Sequence, residues 1–159
     1  MLGSTQNGTR CPGPVDLIFV MDESASMANK NFDLSKSFLS RLVEGMDVDS
    51  NRTRVGVVCF STHVDVAEAF NLNAYSSVAS VQSAISRLTY SRGQTHTAAA
   101  LRYVREKMLT PAAGDRPDVP NVVIVMTDGR SNINRHVTKV CTRAETLRRK
   151  TLLLGFNNL

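Results

Sequence analysis

Two runs without a polar member, Leu17-Ile18-Phe19-Val20-Met21 and Val122-Val123-Ile124-Val125-Met126, lie far apart in the chain. A strand with one solvated face alternates apolar and polar residues, whereas an unbroken apolar run fits a strand covered on both faces, as in a parallel sheet with helices above and below. Each run is followed closely by a carboxylate. Asp22 comes directly after the first, and Thr127-Asp128-Gly129 follows the second.

The intervening pattern alternates accordingly. Ser35, Phe38, Leu39, Leu42, Val43 and Met46 form a stripe at helical spacing, which predicts a helix from about Phe32 to Met46 with these residues facing inward. A second strand is expected at Val55–Phe60, followed by a shorter edge strand at Val64–Phe70 after a turn centred on His63. Further helical stripes run through Val78, Val81, Ile85 and Leu88, and through Leu101, Val104 and Met108. The proline-rich stretch Thr110–Pro120 reads as a surface connection. Beyond Asp128 we expect a helix at Val137–Lys150 and a strand at Thr151–Phe156. Such alternation implies right-handed crossovers and an open, doubly wound, mostly parallel α/β sheet with helices on both faces. The expected division is an N-terminal tail, 1–13, and one domain, 14–159.

Asp22-x-Ser24-x-Ser26 places a carboxylate and two hydroxyls at one strand's carboxyl end, and Asp128 offers a second carboxylate at the other's. Between them Gly93-Gln94-Thr95-His96-Thr97 opens an alanine-rich segment. Oxygen ligands of this hardness suit Mg2+, Mn2+ or Ca2+, whereas a zinc site would ask for nitrogen or sulfur. Each piece also has a plain structural reading: Asp and Ser after a strand cap the next helix, and Asp-Gly is an ordinary turn dipeptide. Their joint placement favours a metal site, because ligands in open parallel sheets bind beyond the strands' carboxyl ends where the winding reverses.

In these residues the chain resembles the von Willebrand factor type A (vWA) domain, whose metal-ion-dependent adhesion site (MIDAS) reads Asp-x-Ser-x-Ser, a distant Thr and a distant Asp. Asp22, Ser24, Ser26, Thr95 and Asp128 match it. Pro14–Asp22, Arg54–Ser61 and Arg116–Gly129 look like the extracellular members of the family, of matrilin, cochlin, collagen or integrin inserted-domain style. The resemblance covers about Cys11 to Phe156. It implies adjacent Leu17 and Val122 strands, one antiparallel edge strand, and a site whose metal coordinates a Glu or Asp carboxylate of an extracellular partner such as collagen. It also implies that carboxylates matching Asp22 and Asp128 act through bridging water or hydrogen bonds. His63, His96 and Arg130 are candidate partner contacts, although each such residue is more often simply an exposed loop side chain.

The resemblance further implies a helix, strand and terminal helix after Phe156, so the expectation is a domain incomplete at its carboxyl end. The first ten residues lack the apolar core of a signal peptide. We therefore expect a portion of a larger secreted protein. Cys11, Cys59 and Cys141 are an odd set; the resemblance implies a disulfide from Cys11 to a cysteine after the last helix, while Cys59 and Cys141 read as free. Asn7-Gly8-Thr9 and Asn51-Arg52-Thr53 are glycosylation sequons if the chain is secreted, Asn51 being the better placed.

The formal charge of +5 gathers at Arg102, Arg105 and Lys107 and at Arg143, Arg148, Arg149 and Lys150. These read as solvated helix faces, and no aromatic-interleaved basic platform supports nucleic-acid binding. No apolar stretch is long enough to insert in a membrane. The leading function is a divalent-cation-dependent protein-binding module. The alternatives are a structural matrix-assembly module with a vacant metal site and, more remotely, a Mg2+-dependent phosphate-transferring enzyme. Ser24 argues against the enzyme, since it stands where a second carboxylate is expected.

Overall fold

A computed structural model of the chain describes residues 13–128 and the backbone of 149–155. Five strands form one sheet in the order β3-β2-β1-β4-β5, where β1 is Val15–Asp22, β2 Thr53–Phe60, β3 Val64–Phe70, β4 Asn121–Thr127 and β5 Arg149–Gly155. β1 pairs in parallel with both β2 and β4, and β4 with β5; β3 runs antiparallel along the edge of β2. The two unbroken apolar runs thus lie side by side at the centre, with Met21 opposite Met126.

Helices cover both faces, so alternate residues of the central strands enter different cores. Leu17, Phe19 and Met21 join Val55, Val57, Ile124 and Met126 under α1 (Ala28–Glu44) and α2 (Val78–Arg87). Ile18 and Val20 join Val58, Phe60, Val123 and Val125 under α3 (Thr97–Tyr103). This two-sided burial is why the strands tolerate no polar residue until their ends.

Several expectations needed correction. The first helix begins at Ala28 and ends at Glu44, and its buried stripe is Phe32, Ser35, Leu39 and Val43. Phe38 is 41% exposed. It precedes Leu39 by one residue, about 100° round the helix, and so leaves the sheet-facing stripe. Ser35 enters the core by donating its hydroxyl to the Asn31 carbonyl at 2.9 Å. The stripe through Leu101, Val104 and Met108 is not one α-helix: Val104–Met108 is a π turn closed by Leu109 N–H on the Val104 carbonyl at 2.8 Å. The 110–120 connection contains a 3-10 turn, Pro111–Ala113, and buries Ala113. β5 begins at Arg149, two residues before the expected strand start at Thr151.

Arg116 ties this connection to the amino-terminal pole of the sheet. Its Nε donates to Asp16 at 2.8 Å, and its remaining guanidinium donors reach the carbonyls of Val15, Asn51 and Arg52. Asp16 is fully buried, so the guanidinium supplies the charge and donors that its carboxylate has lost from water. Cys59 is buried and free, as expected; Cys11 and Cys141 lie outside the described residues. Among the described residues no helix is long and apolar enough to cross a membrane.

Candidate metal site

Side-chain parity on the central strands decides where the carboxylates point. Asp22 follows Ile18 and Val20 on the α3 side of β1, and Thr127 follows Val123 and Val125 on the same side of β4. They meet: Thr127 Oγ1 donates to Asp22 Oδ2 at 2.7 Å. On the other oxygen, Asp22 Oδ1 accepts the Ser24 amide at 2.8 Å, folding the chain tightly after the strand. Asp22 is 1% exposed. Burial pushes its carboxyl above the usual range, bonds from Ser24 and Thr127 pull the other way, and the nearby Asp128 carboxylate adds to the rise.

The serines do not cap α1. The helix starts behind Met27 with no side-chain cap, and Ser24 Oγ and Ser26 Oγ instead bond each other at 3.0 Å. Helix capping therefore fails to account for the Asp-x-Ser-x-Ser cluster. Ser24 is buried while Ser26 lies exposed, so the hydroxyl pair leads from the interior to the surface. At the helix start Ala28 is held at φ +57°, a left-handed strain for a residue with a Cβ.

Thr95, also 1% exposed, arrives on the loop between α2 and α3. Ala25 N–H donates to the Gly93 carbonyl at 2.9 Å, and Tyr90 Oη donates to the Ser24 carbonyl at 2.9 Å, joining this loop to the serine turn. Gln94 N–H to Thr62 Oγ1, 2.9 Å, and His96 N–H to the Ser61 carbonyl, 3.1 Å, join it to the end of β2. Gly93 permits the approach: its φ is +148°, and a Cβ there would stand 2.6 Å from Thr62 Oγ1.

Glu23 is a fifth clamp and was not singled out from the sequence. It points away from Asp22, is 1% exposed, and accepts from Ser91 of the same loop, while its Oε2 has no partner among the described residues. Burial pushes its carboxyl up, partly offset by Ser91. Thr127 and Tyr90 were likewise missed. Their only sequence signal is position, Thr127 directly before Asp128 and Tyr90 shortly before Thr95.

The structure thus brings Asp22, Ser24 and Ser26 together, sets Asp128 close enough to act on the Asp22 carboxylate, and holds the Thr95 loop against the serine turn. His63 is exposed in the β2–β3 turn and His96 half-buried at the start of α3, both beside that loop. Arg130 lies outside the described residues. Among the described residues no three His, Cys, Asp or Glu side chains converge. The set has two carboxylates and completes itself with hydroxyls, a donor chemistry that fits a hard divalent cation. The rise that burial and the neighbouring Asp128 carboxylate impose on Asp22 is also what a cation relieves.

The chain belongs to the von Willebrand factor type A domain family, whose model matches residues 16–159. It is 33% identical to chicken (Gallus gallus) matrilin-1 over 144 residues, covering 91% of this chain and 28% of the relative. To human matrilin-4 it is 40% identical over 77% of this chain and 20% of the relative, and to the human collagen alpha-1(XX) chain 36% identical over 80% and 10%. The chain therefore spans under a third of each. Among solved structures, proximal thread matrix protein 1 from the mussel byssus superposes with a TM-score of 0.82 at 28% identity, over 90% of this chain and 38% of that one. A structure of the same mussel protein with a zinc-occupied MIDAS motif gives 0.83 at 28% identity, over 91% and 38%. The expected family, the mostly parallel sheet and its antiparallel edge are thereby established, and the relatives it matches are matrix proteins, matrilins and collagens, rather than enzymes.

Proposed function

We propose that the chain is a divalent-cation-dependent protein-binding module of an extracellular matrix protein. The carrying observation is the paired serine hydroxyls, which bond each other beside the Asp22 carboxylate, itself within reach of the Asp128 charge, instead of capping α1. Ser24, Ser26 and Thr95 would hold the cation directly. Asp22, with one oxygen engaged by Thr127 and the other by the Ser24 amide, is suited to hold it through water. Mg2+ is the proposed ion, with Mn2+ and Ca2+ as substitutes. Zinc belongs among the competitors, because the mussel neighbour carries it in its MIDAS motif.

Bound there, the cation supplies Lewis acidity and positive charge. The hydroxyl ligands are neutral, so that charge is incompletely compensated and favours an anionic ligand from outside. A Glu or Asp carboxylate on a matrix protein such as collagen completes the set, and the residues around it, His63, His96 and Arg130, select among partners. Placement outside the cell, as part of a larger protein, follows the matrilin and collagen relatives.

Binding to an immobilised panel of matrix proteins, with Mg2+ or with chelator, tests this. Chelator is expected to abolish the interaction, and Glu-to-Gln replacement in a bound peptide to do the same. Capture that survives chelator would instead favour a structural module that does not use the metal.

A further inference from the structure

The tripeptide Asn51-Arg52-Thr53 closes the α1–β2 connection and has no part in the cation-binding reading. We infer that Asn51 is an N-glycosylation site whose sugar projects from the pole of the sheet opposite the metal site. The inference depends on passage through a secretory compartment and is independent of any metal.

Asn51 and its neighbours Asp49, Ser50 and Arg52 are exposed at a turn. Its backbone lies at φ +59°, a left-handed conformation that Asn tolerates, and its N–H bonds the Val48 carbonyl at 2.9 Å. A turn requirement alone accounts for the Asn. It does not account for the orientation of the carboxamide: Oδ1 accepts from Arg54 Nε at 2.9 Å, while no described residue takes Nδ2. The acceptor face is thus occupied and the nitrogen to be modified is left open. Arg116 holds the same turn from within, donating to the carbonyls of Asn51 at 2.7 Å and Arg52 at 3.1 Å. A sugar on Nδ2 adds bulk where these bonds are not.

Thr53, the sequon hydroxyl, is 7% exposed in the folded domain. Transfer therefore takes place on the unfolded chain as it enters the lumen. Asn51 Nδ2 attacks C1 of an oligosaccharide carried on a lipid diphosphate; the C1–N bond forms, the C1–O bond to the diphosphate breaks, Nδ2 gives up one proton, and the lipid diphosphate leaves. Folding then buries Thr53 and leaves the glycan outside.

The location gives the sugar its effect. Thr53 pairs with Val15 and Phe60 with Asp22, so the turn and the metal carboxylate lie at opposite ends of β2, about 23 Å apart at about 3.3 Å per residue. A bulky glycan shields the amino-terminal pole and leaves the metal pole as the face open to partners.

The test is translation of the chain behind a secretory leader into microsomes, reading the protease-protected fraction by gel shift before and after an amidase that removes Asn-linked glycans. An Asn7→Gln background removes the other sequon. One glycan is expected, lost in Asn51→Gln and kept in Thr53→Ser. An unshifted protected Asn7→Gln chain, or a shift that persists in Asn51→Gln, would overturn the assignment. Because modification precedes folding, poor folding of a variant leaves the readout intact.

Discussion

Cys59 shows how strongly position governs a side chain's chemistry here. Buried in β2, its thiol is pushed well above its ordinary value of 9.0 by desolvation, with Glu23, Glu68 and Asp65 adding to the rise. A raised folded pKa means that the unfolded chain ionises first, so the stability involved is intact below pH about 9 and lost as pH climbs beyond it. Thiol-reactive reagents at neutral pH are expected to modify Cys59 only as fast as the domain opens, and Cys59→Ala should flatten the alkaline fall in stability. Rapid labelling of the native protein would contradict the placement. Thr127 makes a second case. Thr127→Val keeps the shape and removes the donor to Asp22 Oδ2, and Mg2+ affinity measured by calorimetry should fall roughly tenfold, about 1.4 kcal/mol. Short spacing marks Asp22, Ser24 and Ser26 in the sequence and a strand end marks Asp128, while Thr95 is read from its polar turn before an alanine-rich segment and from the family resemblance. Thr127's contact with Asp22 bridges 105 positions, and only strand pairing reveals it.

The loop from Thr89 to His96 is the element on which the site depends. It is pinned to the serine turn by Tyr90 and Gly93, to β2 by Gln94 and His96, and to β3 where Thr89 donates to Glu68. Tyr90→Phe deletes one of these bonds while keeping the ring that packs against Phe32 at 5.6 Å. The expected cost is about 1 kcal/mol in denaturant unfolding, together with a few-fold weaker metal binding. Strands were legible from their apolar runs, and helix boundaries less so. α1 starts four residues before the expected Phe32 because buried Met27, not a polar cap, precedes it. The π turn at Val104–Met108 keeps Met108 buried by adding a residue to the turn, so the apolar spacing concealed it.

For the molecule as a whole, the sheet separates stability from binding along its length. Arg116 and Asp16 close the amino-terminal pole, and Asp22, of the proposed metal site, sits at the other. Arg116→Ala strands a fully buried Asp16 and should destabilise the fold by about 3–5 kcal/mol by chemical denaturation, with the metal affinity of the remaining folded protein unchanged. Cation binding should work in the opposite sense. At a Mg2+ concentration about a hundredfold above Kd, the folded state gains about 2.7 kcal/mol, so chelator should lower Tm by roughly 5–11 °C for a domain of this size. We propose that Asp22, Ser24, Ser26, Thr95 and Asp128 form one cation site. It is tested most directly by titrating Mg2+ into the parent chain, Asp22→Ala and Thr95→Ala by calorimetry, with circular dichroism confirming that each remains folded. The parent should bind one ion saturably and both variants at least tenfold more weakly. Equal binding by folded variants and parent would contradict the assignment.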